Sequence, residues 1–167
     1  MIRRSILTKD VLRRRGWKKD DRKCLFCDEE ETIDHLFFQC PLARYCWNVA
    51  CCAFNFVGKP VSVRHLFGGW MRRFSGKHRR LVRVGVAAVL WSIWKTRNNA
   101  CFRSVLPNNP CSITNMIGHW MTTWAILQVK ETNQHAINWG AKLFVRLSSE
   151  VFQANHGWRP ATKRIEN

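Results

Sequence analysis

Cys24, Cys27, His35 and Cys40 stand in the stretch CLFCDEEETIDHLFFQCPLARYCW as C-x2-C-x7-H-x4-C. Thiolates and imidazole are the ligands that zinc takes in tetrahedral sites. A C-x2-C turn points two sulfurs into one space and leaves turn amides to donate to them. His35 and Cys40 must then close the tetrahedron, yet positions five apart on a continuous α-helix diverge by about 140°. The helix must therefore bend or stop between them. Pro41 supplies the interruption, because it disfavours helical geometry at Cys40, and Asp34 is placed to cap the short turn. The competing reading is a core of small thiols. Eight cysteines among 167 residues produce C-x2-C by chance at times, and free cysteine is often simply buried. Cys46 shares a helical face with Leu42 and Val49 and is assigned to the core. Cys51 and Cys52 are core or helix-surface thiols on the same grounds. If Zn2+ binds, four protein ligands leave no open position for water, so the metal is structural rather than catalytic.

The elements that must hold these residues read as all-α, a helical domain with a small N-terminal Cys3His zinc-stapled segment. Thr8 is placed to cap a short helix that Gly16 ends. PLARYCWNVACCAF reads as a helix from Pro41, where proline suits the first position. After a break at Gly58, Lys59 and Pro60, Ser62 opens a helix with Val63, Leu66, Phe67, Trp70, Met71 and Phe74 on one face. A longer helix is expected from about His78 to Phe102, apolar on every side of its middle and hence central, with Pro107 and Pro110 ending it. Ser112 opens another, with Ile113, Met116, Ile117, Trp120, Trp124 and Leu127 on one face. Beyond Thr132 the pattern weakens, although INWGAKLFVRLSSEVF reads as one more helix before a tail. The expected organisation is a zinc-binding segment at 1–56, the helical remainder of the same domain at 57–132, and a weakly packed helix and tail at 133–167.

Composition narrows the function. The formal net charge is +17, from 28 Lys and Arg against 11 Asp and Glu. No Asp or Glu lies between His35 and Lys130, so the bases in that interval are expected to be exposed. A field of one sign attracts polyanions. The same interval has no carboxylates to hold the ions of two-metal phosphoryl transfer. His65, His78, His119, His135 and His156 are scattered, without a carboxylate orienter nearby in sequence, so no enzyme is expected. The N-terminal MIRRSILTKDVLRRRG has no apolar run long enough for a signal peptide, so none is expected, and the longest apolar run, VGVAAVLWSIW, is too short to span a bilayer. An intracellular location, nuclear or cytoplasmic, is the expectation, with reduced cysteines.

Taken together, ILTKDVLRRRGW, CLFCDEEETIDHLFFQCPLARYCWNV and VGVAAVLWSIWKTRNNACF resemble the reverse-transcriptase zinc-binding domain of plant LINE-type (non-LTR) retrotransposon polyproteins, over about Ile6 to Lys130. GW and WRP near the end look similar as well. The resemblance implies zinc ligands at Cys24, Cys27, His35 and Cys40, matching in type and spacing. It further implies a nucleic-acid-associated accessory module, with the upstream polymerase domain of the parent polyprotein as a partner. The chain departs from the family pattern in lacking an upstream tryptophan-containing helix, which makes it an N-terminally truncated fragment on this reading. Neither polymerase, endonuclease nor ribonuclease H residues are seen.

Two basic clusters are the candidate nucleic-acid contacts: Arg13, Arg14, Arg15, Lys18 and Lys19 around Trp17, and Arg72, Arg73, Lys77, Arg79 and Arg80. Lysine and arginine pair with phosphates, and an exposed tryptophan stacks on a base. No feature supplies a sequence code, so RNA or DNA binding would be non-specific, with no membrane and no small-molecule substrate. The alternative is a structural or protein-interaction module (or a non-functional remnant) without nucleic-acid binding, suggested by Trp91, Trp94, Trp120 and Trp124. Arg97 and Asn98, near the end of their helix, are assigned to capping and hydrogen bonding.

Overall fold

The computed structural model describes residues 6–17 and 22–154. Lys18 and Lys19 lie outside the described residues, as does the expected tail from His156 onward.

Among the described residues, six α-helices run in the order α1 (Lys9–Arg14), α2 (Pro41–Phe54), α3 (Val63–His65), α4 (Gly76–Arg103), α5 (Pro110–Ala125) and α6 (Glu131–Ala154), with two π-helical segments between them. The class is all-α: among the described residues the extended pairing is one antiparallel bridge, Lys23 with Glu30.

The short α1 ends as Gly16 dictates, at φ 87°, a conformation that costs glycine little. Thr8 holds the cap position but accepts no bond from the helix. Its hydroxyl donates to Asp10 at 2.5 Å, and the Lys9 amide is taken instead by Glu31 Oε1 at 3.0 Å.

Pro41 stands at the first position of α2, and Asn55 closes that helix in the left-handed region. The helix expected after Ser62 is broken up. Ser62 does accept from the His65 amide, but α3 then widens into a π-helical segment, Leu66–Trp70, and tightens into a 3-10 turn, Met71–Arg73. The changed turn moves Phe67 off the buried face, where it is 53% exposed, while Leu66 and Trp70 are fully buried.

Helix α4 is buried along one side only. Val86, Val89, Ile93, Arg97 and Ala100 face inward, whereas Trp91 is 43% exposed. The expectation of a helix enclosed on all sides is therefore corrected. Pro110 begins α5 rather than ending α4, and Asn109, not Ser112, is its cap, accepting from the Ser112 amide. The buried stripe of α5 is Ile113, Thr114, Ile117, Gly118, Met121 and Ala125, with Leu127 exposed.

Helix α6 starts earlier than its periodicity suggests and is packed rather than loose: Ile137, Ala141 and Phe144 are buried. At Gly118 a Cβ would lie 2.5 Å from Val145 Cγ2, so glycine is what lets α5 and α6 approach. Phe54 of α2 stacks on Phe144, with ring centroids 6.3 Å apart, and the Tyr45 hydroxyl reaches the Ser148 carbonyl at 3.1 Å. Helix α2, which begins directly after Cys40, is thereby fixed to the body.

Candidate metal centre

The site is built by a knuckle and a helix that ends abruptly. In the knuckle, the Cys24 amide donates to the Glu29 carbonyl at 2.8 Å and the Glu31 amide to the Arg22 carbonyl at 2.9 Å. These bonds fold residues 25–28 into the turn that brings Cys24 and Cys27 together. The Phe26 amide donates to Cys24 Sγ at 3.5 Å, the turn-to-sulfur bond that a C-x2-C loop offers.

The other two donors lie five apart. The chain solves the angular problem with a π-helical segment, His35–Gln39, in which the Cys40 amide donates to the His35 carbonyl at 2.7 Å. An i→i+5 turn carries more residues per revolution than an α-turn and is frequent at functional sites. Cys40 itself leaves the helix, at φ −53° and ψ 138°, as the residue before a proline should. Asp34 does not cap this helix. Thr32 does, its Oγ1 accepting from the His35 amide at 3.1 Å, while Asp34 Oδ1 accepts from the Val63 amide at 2.8 Å. Leu36, Phe37 and Phe38 are buried between the donors, and Trp47 Nε1 donates to the Phe37 carbonyl at 2.8 Å.

One ligand atom from each of Cys24, Cys27, His35 and Cys40 lies within 4.8 Å of the other three. Cys24 Sγ and Cys40 Sγ are 3.8 Å apart, and Cys27 Sγ and His35 Nε2 are 3.2 Å apart. A tetrahedral zinc with sulfurs at about 2.3 Å has sulfur–sulfur edges of roughly 3.8 Å. The donor set and its spacing fit the ion. Cys46, the rival donor, is fully buried in the core, where burial pushes its thiol up to about 12.

Without a cation the three thiols compete. The hydrogen bond from Cys40 draws Cys24 down to about 5, and the same contact with Cys24, together with burial, holds Cys40 well above an ordinary thiol. Burial raises Cys27 as well. Only a divalent ion lets all three ionise side by side.

Beside the knuckle lies a contact that sequence reasoning missed. Arg97 and Glu31 are both buried, with Nη2 to Oε1 at 2.8 Å and Nε to Oε2 at 3.2 Å. Glu31 Oε1 also takes the Lys9 amide, so one carboxylate ties α1, the knuckle and α4. The expectation that every base between His35 and Lys130 is exposed fails here, because Arg97 found its carboxylate outside that interval. A signal existed: Arg97 falls on the buried stripe of α4, with Ile93 and Ala100. The expected assignment of Arg97 to capping becomes an ion pair, and its guanidinium also lies over the Trp94 ring at 5.3 Å.

The expected basic contacts stand on two elements. Arg13, Arg14, Arg15 and Trp17 are exposed at the end of α1, and Arg14 is paired with Asp10. Arg72, Arg73, Lys77 and Arg80 are accessible around the start of α4, and Arg79 has its Nε on the Phe74 carbonyl at 2.6 Å. Among the histidines, His135 does have a carboxylate, Glu131 one turn away at 3.4 Å, though both side chains are more than three-quarters exposed.

Residues 1–47 match the family described as zinc-binding in reverse transcriptase. The match contains the whole knuckle and stops at Trp47, inside α2. No curated protein matches the chain, and no solved structure does. The matched family is of an accessory, zinc-binding type rather than a catalytic one, and no helix among the described residues is long and apolar enough to cross a membrane.

Proposed function

We propose that the chain is a zinc-organised accessory module, derived from a LINE-type retrotransposon reverse transcriptase, that binds single-stranded nucleic acid without sequence preference and carries out no reaction of its own. The ligands of the ion are Cys24, Cys27, His35 and Cys40. The observation that carries the binding half is the one-sided charge: in the carboxylate-free interval, Arg72, Arg73, Lys77 and Arg80 are accessible within a short run of chain. Phosphates are the natural counter-charge, and their neutralisation releases counterions, so affinity falls steeply with salt. The family match over residues 1–47 supports the retroelement origin.

The test is a titration of zinc-loaded protein against single-stranded RNA at several salt concentrations. Affinity should fall as salt rises, and replacing Arg72, Arg73, Lys77 and Arg80 by Ala should reduce the salt slope by about one for each phosphate no longer neutralised. Salt-independent affinity, or none at low salt, overturns the reading. A second reading, a protein-interaction module, draws on exposed apolar residues at the α5–α6 connection: Ile126, Leu127 and Val129 are each at least 75% exposed. Self-association that rises with concentration, without RNA binding, favours that reading.

A further inference from the structure

A cavity of about 450 Å³ opens between α2, α4 and α6, within the range of ordinary ligand sites. One stripe of α4 forms its long wall, from His78 through Val82 and Gly85 to Val89. Gly85 is informative. Glycine inside a helix costs about 0.5–1 kcal/mol relative to alanine, and a Cβ here would meet nothing within 4 Å. No packing contact requires the missing side chain, and its absence leaves the cavity open.

The mouth differs from the floor. The buried floor is aliphatic at Val86, Val89 and Met121 but also holds Trp47 and Phe144, whereas Phe54, Phe56 and Phe74 are half-buried and Trp139 is 66% exposed. Asn55, Ser75 and His78, all exposed, also line it, and their side chains make no hydrogen bond to other described residues. Arg73 is on the rim, its guanidinium held by the Val57 carbonyl. Lys77 is exposed at the start of α4, to one side of the stripe, whereas Arg80, two residues after His78, falls about 200° around the helix from it, on the opposite face. Among the described residues no carboxylate lines the cavity.

We infer that this mouth receives an unpaired base of a single strand, whose neighbouring phosphates lie on Arg73 and Lys77. The inference rests on the proposed nucleic-acid binding and adds where a base goes. A nucleobase has two apolar faces and a polar edge. Aromatic walls stack on the faces, as they do for extruded bases and in single-strand grooves, and the unspent amide, hydroxyl and imidazole meet the edge. An acyl chain would use the floor but leave those three groups idle, and an uncharged occupant would leave the cationic rim unmatched.

The experiment compares, on the full zinc-loaded chain, a short single-stranded DNA of mixed sequence with the same strand made wholly of abasic sites. Both carry the same phosphates, so the salt slope should be the same. The intact strand is expected to bind on the order of five- to a hundredfold more tightly. Gly85→Leu, which plugs the cavity, and Trp139→Ala, which strips an exposed wall, should each remove most of that difference and leave abasic affinity unchanged. If Gly85→Leu disturbs the helices by circular dichroism, Trp139→Ala alone decides. Equal affinity for the two strands, or a difference that survives both substitutions, overturns the inference and leaves the electrostatic reading standing. No binding of either strand overturns both.

Discussion

At the scale of single residues, the metal donors and the buried ion pair obey the same rule: charge taken out of water must be met by opposite charge. Cys24 is already a thiolate at neutral pH, whereas Cys27 and Cys40 are raised and keep their protons. Zinc must displace those protons, so its apparent affinity should rise between about pH 6 and about pH 8 with proton release on binding. Calorimetry in buffers of different ionisation enthalpy reads this directly; pH-independent affinity would contradict it. Cys27→Ser should lose stoichiometric zinc, as metal analysis would show. For the pair, Arg97→Met leaves Glu31 charged and buried without its partner, a loss of about 3–5 kcal/mol. Adding Glu31→Leu should recover part of it, and urea denaturation of the single and double variants checks the order. The four donors were legible because their spacing is local. Glu31 was not, because it lies in a run of four carboxylates of which three are exposed, and its partner is 66 residues away.

At the scale of elements, the boundaries of α2 could be read from Pro41 and the apolar spacing, since proline and the burial stripe agree there. The helix after Ser62 could not. A π-helical segment shifts every later side chain around the axis, and neither Gly68 nor Gly69 announces that shift. The same widening between His35 and Cys40 was foreseeable only as a demand that the helix break, not as the way it does. Helix α6 was underestimated because half of what seats it belongs to its partner: Gly118 on α5 makes room for Val145. Gly118→Ala should therefore destabilise the domain by about 1–3 kcal/mol through overpacking. Val145→Ala in the same chain should relieve most of that loss, and thermal melts of the two variants and their combination test the coupling.

At the scale of the molecule, the knuckle is joined to the helical body by three kinds of link. Leu36, Phe37 and Phe38 enter the common core, Trp47 bonds back to Phe37, and Glu31 reaches Arg97 on α4. Metal binding therefore bears on the body as well as the knuckle, and chelation should loosen α1 and the inner face of α4 together. Hydrogen exchange with and without chelator should show lower protection at both, and a change confined to residues 22–47 would contradict the linkage. Charge was legible as a sum, but not where it would be spent, since one of the thirteen bases between His35 and Lys130 is interior. The most direct measurement is X-ray absorption at the zinc edge of the refolded, metal-loaded chain. Three sulfurs at roughly 2.3 Å and one nitrogen at roughly 2.0–2.1 Å, at one zinc per chain, are expected. A shell with fewer sulfurs, or one completed by water, would contradict the Cys3His centre on which the rest stands.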